Sequence, residues 1–293
     1  MIEAKQVSCV IPYAGAEKYI GEAVESALAQ DFREVIVVND GFPPGQLAAI
    51  AKRPGVRILH QPQAVGCPNA RNLGLKSCVT SHIVLLDHDD LLCDGYFPAI
   101  SSWVSENQLR CAAANLRYIG EDSRRVGAVV SRHEDFFMPS GFFSELSLIA
   151  EIGYFLDTCA DDLFFFRSIR QATRLTVCPQ AGVLYRIHPQ AGSSVNTRAL
   201  WAFSRLVPLY DEGIFSLAEI NRIARDYGSR GIIPAGLEMA LQDDDSVAAR
   251  FAARSAYASW LNRNPAGVLK YGAQLTRHLP MALRIVAKKW KKN

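Results

Sequence analysis

The chain has 293 residues, 49% of them hydrophobic and 21% charged, which is typical of one large globular domain, or a domain with an appendage, and excludes a disordered protein. Its net charge of +3 provides no overall basic field, so nucleic acid is not an expected partner. Seven cysteines without a C-x-x-C pair indicate reduced thiols in a cytoplasmic protein. We expect neither a signal peptide nor a membrane-spanning segment, because no apolar run approaches the roughly 20 residues that a bilayer requires.

Short apolar segments alternate with amphipathic segments through the first third of the chain. The predicted elements are strands at 7–11, 34–38, 56–59 and 83–86 and helices at 17–30, 45–52 and 70–77. This alternation predicts a mostly parallel sheet flanked by helices, in which ligands bind beyond the carboxyl ends of the strands. Pro12, Asp40 and the segment 87–90 all follow predicted strands, so we expect them to share one polar rim.

Three carboxylates, Asp87, Asp89 and Asp90, follow the fourth predicted strand within four residues. Clustered carboxylates repel one another and are costly to desolvate, so they need either water or a cation. Hard oxygen ligands at the end of a strand suit Mg²⁺ or Mn²⁺ that carries a phosphate-containing substrate. The alternative is a solvated acidic turn that merely ends the strand. We expect Asp90 itself to cap a helix that begins near Leu91.

Four segments occur in a recognisable order: VSCVIPYAGAEKYIGEAVESALAQ, EVIVVNDG, GCPNARNLGL and IVLLDHDD. No G-x-G-x-x-G follows the first strand and the sequence has no G-x-x-x-x-G-K-[ST], which argues against dinucleotide-binding and P-loop proteins. The four segments resemble the nucleotide-sugar-binding half of the GT-A glycosyltransferases, most closely the inverting family 2, over about residues 6–195. The resemblance implies a Rossmann-like GT-A domain at 1–197, the fold of nucleotide-diphospho-sugar transferases. The remaining residues, 198–293, are predicted to form a helical C-terminal extension with a basic tail.

The resemblance also assigns contacts to the donor nucleotide. The residues implied are Pro12, Tyr13, Asp40, Arg71 and Asp87. Pro12 and Tyr13 would border the base, although the family more often has Pro-Thr-Tyr-Asn there, and Asp40 would bind the base. Arg71 would face the ribose and diphosphate, and Asp87 the ribose or the metal's water shell. Two alternatives remain open: Asp40 serves an Asx-turn or helix cap, and Arg71 pairs with one of the Asp residues.

The same resemblance implies a metal site and a catalytic base. Asp89 in the D-x-D element would ligate Mn²⁺ or Mg²⁺, and His188 in a Y-R-x-H element would be a second ligand or an ordinary loop histidine. Asp161 and Asp162 replace the family's Glu-Asp pair, whose last acid heads a helix and acts as the base. Counting back from residues 177–179 selects Asp162, and counting from Arg167 selects Asp161; we take Asp162. The structural alternative is an N-cap and a first-turn acid on a helix at 163–172.

Together these features predict a metal-assisted glycosyltransferase that moves a sugar, most readily from a UDP-sugar, to an acceptor hydroxyl with inversion. The acceptor would be a saccharide or a lipid-linked glycan. Residues 288–292, KKWKK, end an apolar helical stripe and suit either docking on the inner face of an anionic membrane or a solvated tail. The rival functions are a catalytically degenerate sugar-nucleotide-binding protein and a nucleotidyltransferase. The latter class requires a basic glycine-rich loop after the first strand, which AGAE at 14–17 is not.

Overall fold

The computed structural model describes residues 2–15, 17–43, 45, 47–121, 126–128, 137–156 and 161–188, all within one compact unit. The strands in this part of the chain are β1 Val7–Tyr13, β2 Glu34–Asn39, β3 Val56–His60, β4 His82–Leu85, β5 Leu91–Leu92, β6 Cys111–Gly120, β7 Phe142–Glu145 and β8 Val177–Ile187. The helices are α1 Glu17–Leu28, α2 Leu47–Ile50, α3 Cys67–Lys76, α4 Tyr96–Glu106, α5 Leu146–Ile152 and α6 Asp161–Ala172.

The strands form a mixed sheet in the order β3-β2-β1-β4-β7-β6-β8-β5. The first four of these strands are parallel to one another, β7 runs antiparallel to β4 and β6, and β6 is parallel to β8. All seven residues of β1 are buried because the strand lies between β2 and β4 and is covered by helices on both faces. The predicted mostly parallel sheet with flanking helices is therefore confirmed.

Alternate side chains of β1 point into two separate cores. Cys9 and Ile11 pack in the cluster that contains residues of α1 and α4, whereas Val10 packs in the cluster that contains residues of α3, α5 and α6. The sheet is thus the middle layer of three. Burial raises the pKa of the Cys78 and Cys111 thiols to about 12, so both stay protonated.

One predicted element is wrong. The expected helix near Leu91 is instead the short strand β5, and α4 begins at Tyr96 after Gly95. Asp90 therefore does not cap a helix; its carboxylate points inward and accepts hydrogen bonds from other parts of the chain. The expected helix start at 163 is two residues too late, because α6 begins at Asp161 and both Asp161 and Asp162 lie in its first turn.

The predicted C-terminal extension, 198–293, and its basic end lie outside the described residues, so the domain boundary at 197 stays a prediction. In the part of the chain that the structure describes, no helix combines the length and apolar character needed to cross a bilayer.

Candidate active site

The predicted site residues lie where strands end. Pro12 and Tyr13 close β1, Asp40 directly follows β2, and the acidic turn follows β4. These three strands are parallel neighbours, so their carboxyl ends meet at one edge of the sheet. The first turn of α6 and the end of β8 add Asp161 and His188 to the same region, through contacts with the acidic turn and with Arg71.

Arg71 joins two of the predicted acids. Its Nη2 lies 2.6 Å from Asp87 Oδ1, and its Nη1 lies 2.7 Å from Asp161 Oδ2. The residue is only 6% exposed. Burial by itself lowers the pKa of the guanidinium. Electrostatic interaction with Cys67, Asp87 and Asp161 raises the pKa by more than burial lowers it, so the net pKa is above the ordinary value. The pairing alternative for Arg71 is thus found in the structure, and its contact with a diphosphate stays a prediction.

Asp89 and His188 form a second pair. Nε2 of His188 lies 3.0 Å from Oδ2 of Asp89, and the imidazole is buried against the ring of Tyr19. Nδ1 of His188 is buried and has no hydrogen-bond partner among the described residues. Within the same residues no group of three or more His, Cys, Asp or Glu side chains is arranged to hold a metal. A carboxylate and an imidazole nevertheless fit Mn²⁺ or Mg²⁺ when substrate phosphates and water complete the coordination.

Asp90 ties the acidic turn to the end of β8. Its Oδ2 accepts a hydrogen bond of 2.5 Å from the Ser140 hydroxyl, and its Oδ1 accepts one of 2.8 Å from the Arg186 backbone N–H. The Ser140 oxygen in turn accepts a bond from the Asp87 N–H at 3.0 Å. Burial and the nearby charges of Asp89 and Asp87 raise the pKa of Asp90, and the two hydrogen bonds oppose that rise.

Ser140 is a site residue that the sequence analysis missed. It lies in the segment FFMPSGFF, whose aromatic residues gave no indication of a polar role. The segment's Pro and Gly indicate a loop, but its partners are 50 or more residues away in the chain, and no spacing rule links them.

Asp40 holds the loop that precedes α3. Its Oδ1 accepts from the Val65 N–H at 2.8 Å and its Oδ2 from the Gly66 N–H at 2.9 Å. The turn after it needs Gly41, which has φ +78°, because a Cβ there would lie 2.2 Å from the Ala64 nitrogen. Asp40 is 4% exposed, and its contact with a base stays a prediction.

Tyr13 is buried at the end of β1, with 1% of its surface exposed. Its ring meets the rings of Phe42 and His88 edge-on, at centroid distances of 6.4 and 5.8 Å. Nδ1 of His88 lies 3.1 Å from the Pro12 carbonyl oxygen, which connects the acidic turn with the end of β1. The predicted base contacts of Pro12 and Tyr13 are therefore untested, and stacking on Tyr13 would require its ring to become accessible.

The two candidate bases differ in their surroundings. Asp161 is 8% exposed and is the acid that pairs with Arg71. Asp162, next to it in the first turn of α6, is partly exposed. A base must reach the acceptor hydroxyl, and a carboxylate held by a buried guanidinium is a poor proton acceptor. Asp162 is the more exposed of the two, and its choice as the base stays a prediction.

The chain resembles known glycosyltransferases in sequence and in fold. The model of a family described as "Glycosyl transferase family 2" matches residues 8–170. An uncharacterised glycosyltransferase, EpsJ of Bacillus subtilis, is 35% identical over 109 residues, 35% of this chain and 31% of that protein. The minor teichoic acid biosynthesis protein GgaB of the same organism is 31% identical over 109 residues, 34% of this chain and 12% of that protein. Less than a third of either relative's length is thus covered.

Among solved structures, residues 1–349 of TarS from S. aureus in complex with UDP-GlcNAc superpose with a TM-score of 0.57. That alignment covers 93% of this chain and 92% of the other at 14% identity, so the likeness concerns the fold.

Proposed function

The chain belongs to glycosyl transferase family 2, and we propose that it transfers a sugar from a UDP-sugar to an acceptor hydroxyl with inversion and with the help of a divalent cation. The observation that carries this proposal is the arrangement at the carboxyl edge of the sheet. There Arg71 joins the D-x-D turn to the first turn of α6, and His188 pairs with Asp89. The UDP-GlcNAc complex of TarS, which shares the fold, supports a UDP-sugar as donor.

In the proposed reaction a carboxylate oxygen of Asp162 takes the proton from the acceptor hydroxyl. The hydroxyl oxygen then attacks the anomeric carbon from the face opposite the diphosphate. The bond between that carbon and the diphosphate oxygen breaks, and its electron pair leaves on UDP. Arg71 fixes the distance between the donor turn and the helix that carries Asp162. A divalent cation bound by Asp89 and His188 would supply neutralisation of the diphosphate charge.

The acceptor that we propose is a saccharide or a lipid-linked glycan, because the relative GgaB is named for teichoic acid biosynthesis. A cytoplasmic position at the inner face of the membrane, reached through the basic residues 288–292, remains part of the proposal.

Donor turnover tests the proposal directly. The full chain should hydrolyse or transfer from at least one nucleotide-sugar of a UDP, GDP and dTDP panel in the presence of Mn²⁺, and chelation should abolish this. Asp89→Ala should remove turnover, whereas Asp94→Ala, an exposed acid five residues further on, should not. Absence of metal-dependent turnover from every donor, with binding retained, would establish the degenerate binding protein instead.

A single variant tests the base. Asp162→Asn should abolish transfer and leave donor affinity nearly unchanged, because the amide keeps the shape of the side chain and loses its basicity. Full activity of Asp162→Asn would refute the assignment.

A further inference from the structure

Phe42 is an exposed aromatic side chain at the donor edge of the sheet. It follows Asp40 and Gly41 at the carboxyl end of β2, and 37% of its surface is accessible. Among the described residues, the other exposed large hydrophobic side chains are aliphatic. A lone exposed phenylalanine is unremarkable on a protein surface, so its position counts only if the fold holds it there.

The buried side chain of Asn39 holds the backbone of Phe42 at both of its polar atoms. Asn39 Nδ2 donates to the Phe42 carbonyl at 2.7 Å, and Asn39 Oδ1 accepts from the Phe42 N–H at 3.0 Å. Asn39 is 2% exposed. Only an amide can make this pair of bonds, since an ionised carboxylate has no hydrogen to donate. Aspartate at position 39 would therefore lose the bond to the Phe42 carbonyl.

The ring of Phe42 is placed by the loop after β1. A Cβ on Gly15 would lie 2.6 Å from Phe42 Cδ1, and Gly15 has φ +84°, so the ring occupies space that only glycine leaves open. Tyr13, the aromatic residue of that loop, contacts Phe42 edge-on and is itself buried. Among the described residues that follow β1, Ala14 and Gly15 are accessible and carry no ring, and Phe42 supplies accessible aromatic surface beside them.

We propose that Phe42 is the surface on which the nucleobase of the donor stacks, and that Asn39 is the positioning residue that fixes it. The inference rests on the proposed function, because it assumes a nucleotide donor at this edge. Stacking on an aromatic ring tolerates every base. Replacing such a ring with alanine weakens binding about 5- to 150-fold. Phe42 would then supply donor affinity, and discrimination among bases would come from polar groups such as Asp40.

Calorimetric titration of the full chain with UDP and with inorganic pyrophosphate, each with Mn²⁺, tests this. Phe42→Ala should weaken UDP binding about 5- to 150-fold and leave pyrophosphate binding unchanged, because pyrophosphate has no base. Phe42→Tyr should bind UDP as the wild type does. Asn39→Asp should lose part of the UDP affinity and none of the pyrophosphate affinity. Val79→Ala removes an exposed apolar side chain elsewhere and should change neither.

Three outcomes would overturn the assignment. Unchanged UDP affinity in Phe42→Ala would show that the ring does not contact the base, while leaving the proposed donor site intact. Equal losses of UDP and pyrophosphate binding would show that Phe42 only supports the loop. Failure of the wild type to bind UDP would refute the UDP-sugar proposal itself, and with it the role of Phe42.

Discussion

Replacing Arg71 with methionine should destabilise the domain strongly. Arg71 is 6% exposed, and its guanidinium pairs with Asp87 and Asp161 at 2.6 and 2.7 Å. The substitution keeps an unbranched apolar side chain and removes the guanidinium. Both carboxylates would then lose the guanidinium that they share. Breaking a buried ion pair costs about 3–5 kcal/mol. Because the Asp87 side chain is 25% exposed, we expect a loss of stability at the lower end of this range, about 3 kcal/mol. For a domain of roughly 150–250 residues this is a fall in Tm of about 6–12 °C.

Arg110 provides a matched control. It also pairs with two carboxylates, Glu145 and Glu151, at 2.9 and 2.8 Å, but its side chain is 34% exposed. Exposed pairs of this kind contribute about 0–1 kcal/mol each. Thermal unfolding of the full chain, followed by circular dichroism at neutral pH, should therefore show a much smaller fall in Tm for Arg110→Met than for Arg71→Met.

A double variant separates loss of pairing from loss of packing. Asp161→Asn removes one of the two carboxylates that lose their guanidinium partner in Arg71→Met, so the double variant should be more stable than the sum of the two single effects predicts, by about 0.5–3 kcal/mol. Strict additivity, or an Arg71→Met variant no less stable than Arg110→Met, would refute the reasoning that these charges depend on each other.

Two further predictions concern residues outside the Arg71 pairs. Ser140→Ala should lower the free energy of unfolding in urea by about 1–3 kcal/mol, since it removes a donor to the buried Asp90 carboxylate, whereas the exposed Ser147→Ala should have little effect. Burial lowers the pKa of His82 below 6.5, partly offset by Glu145, and its ring stacks on Phe143. The folded state therefore disfavours the protonated imidazole. The stability that the neutral His82 side chain contributes is lost as the pH falls through 6.5 towards the folded-state pKa. The Tm of the wild type should fall more than that of His82→Phe between about pH 7 and about pH 5.5, and parallel curves would contradict this.

The parallel half of the sheet was predictable because its signals are local. Apolar runs that end in Pro12, Asp40 and Asp87 identify the strands and their polar ends without reference to other parts of the chain. The position of β7 between β4 and β6 was not predictable, since Phe142–Glu145 pairs with strands on both sides through contacts that no periodicity encodes.

Within the acidic segment 87–90, some roles likewise follow from local sequence and others from distant contacts. Asp87 and Asp89 lie at the carboxyl edge of the sheet because they follow β4. The inward turn of Asp90 depends instead on Ser140 and on the backbone of Arg186. Leu91 and Leu92 read equally well as the start of a helix or as a strand of two residues. Only the pairing of these two residues with the distant strand β8 decides between them.

The departures of this chain from the family pattern bear on whether it still binds a donor. The resemblance implies other residues at Tyr13 and Ala14 and an aspartate at Asn39, and these departures were reasons to consider a degenerate protein. In the structure the amide of Asn39 holds the backbone of Phe42, and Gly15, next to Ala14, leaves room for the Phe42 ring. Because both contacts position Phe42, they support the proposed donor site, and UDP binding by the wild type decides between that site and a degenerate one.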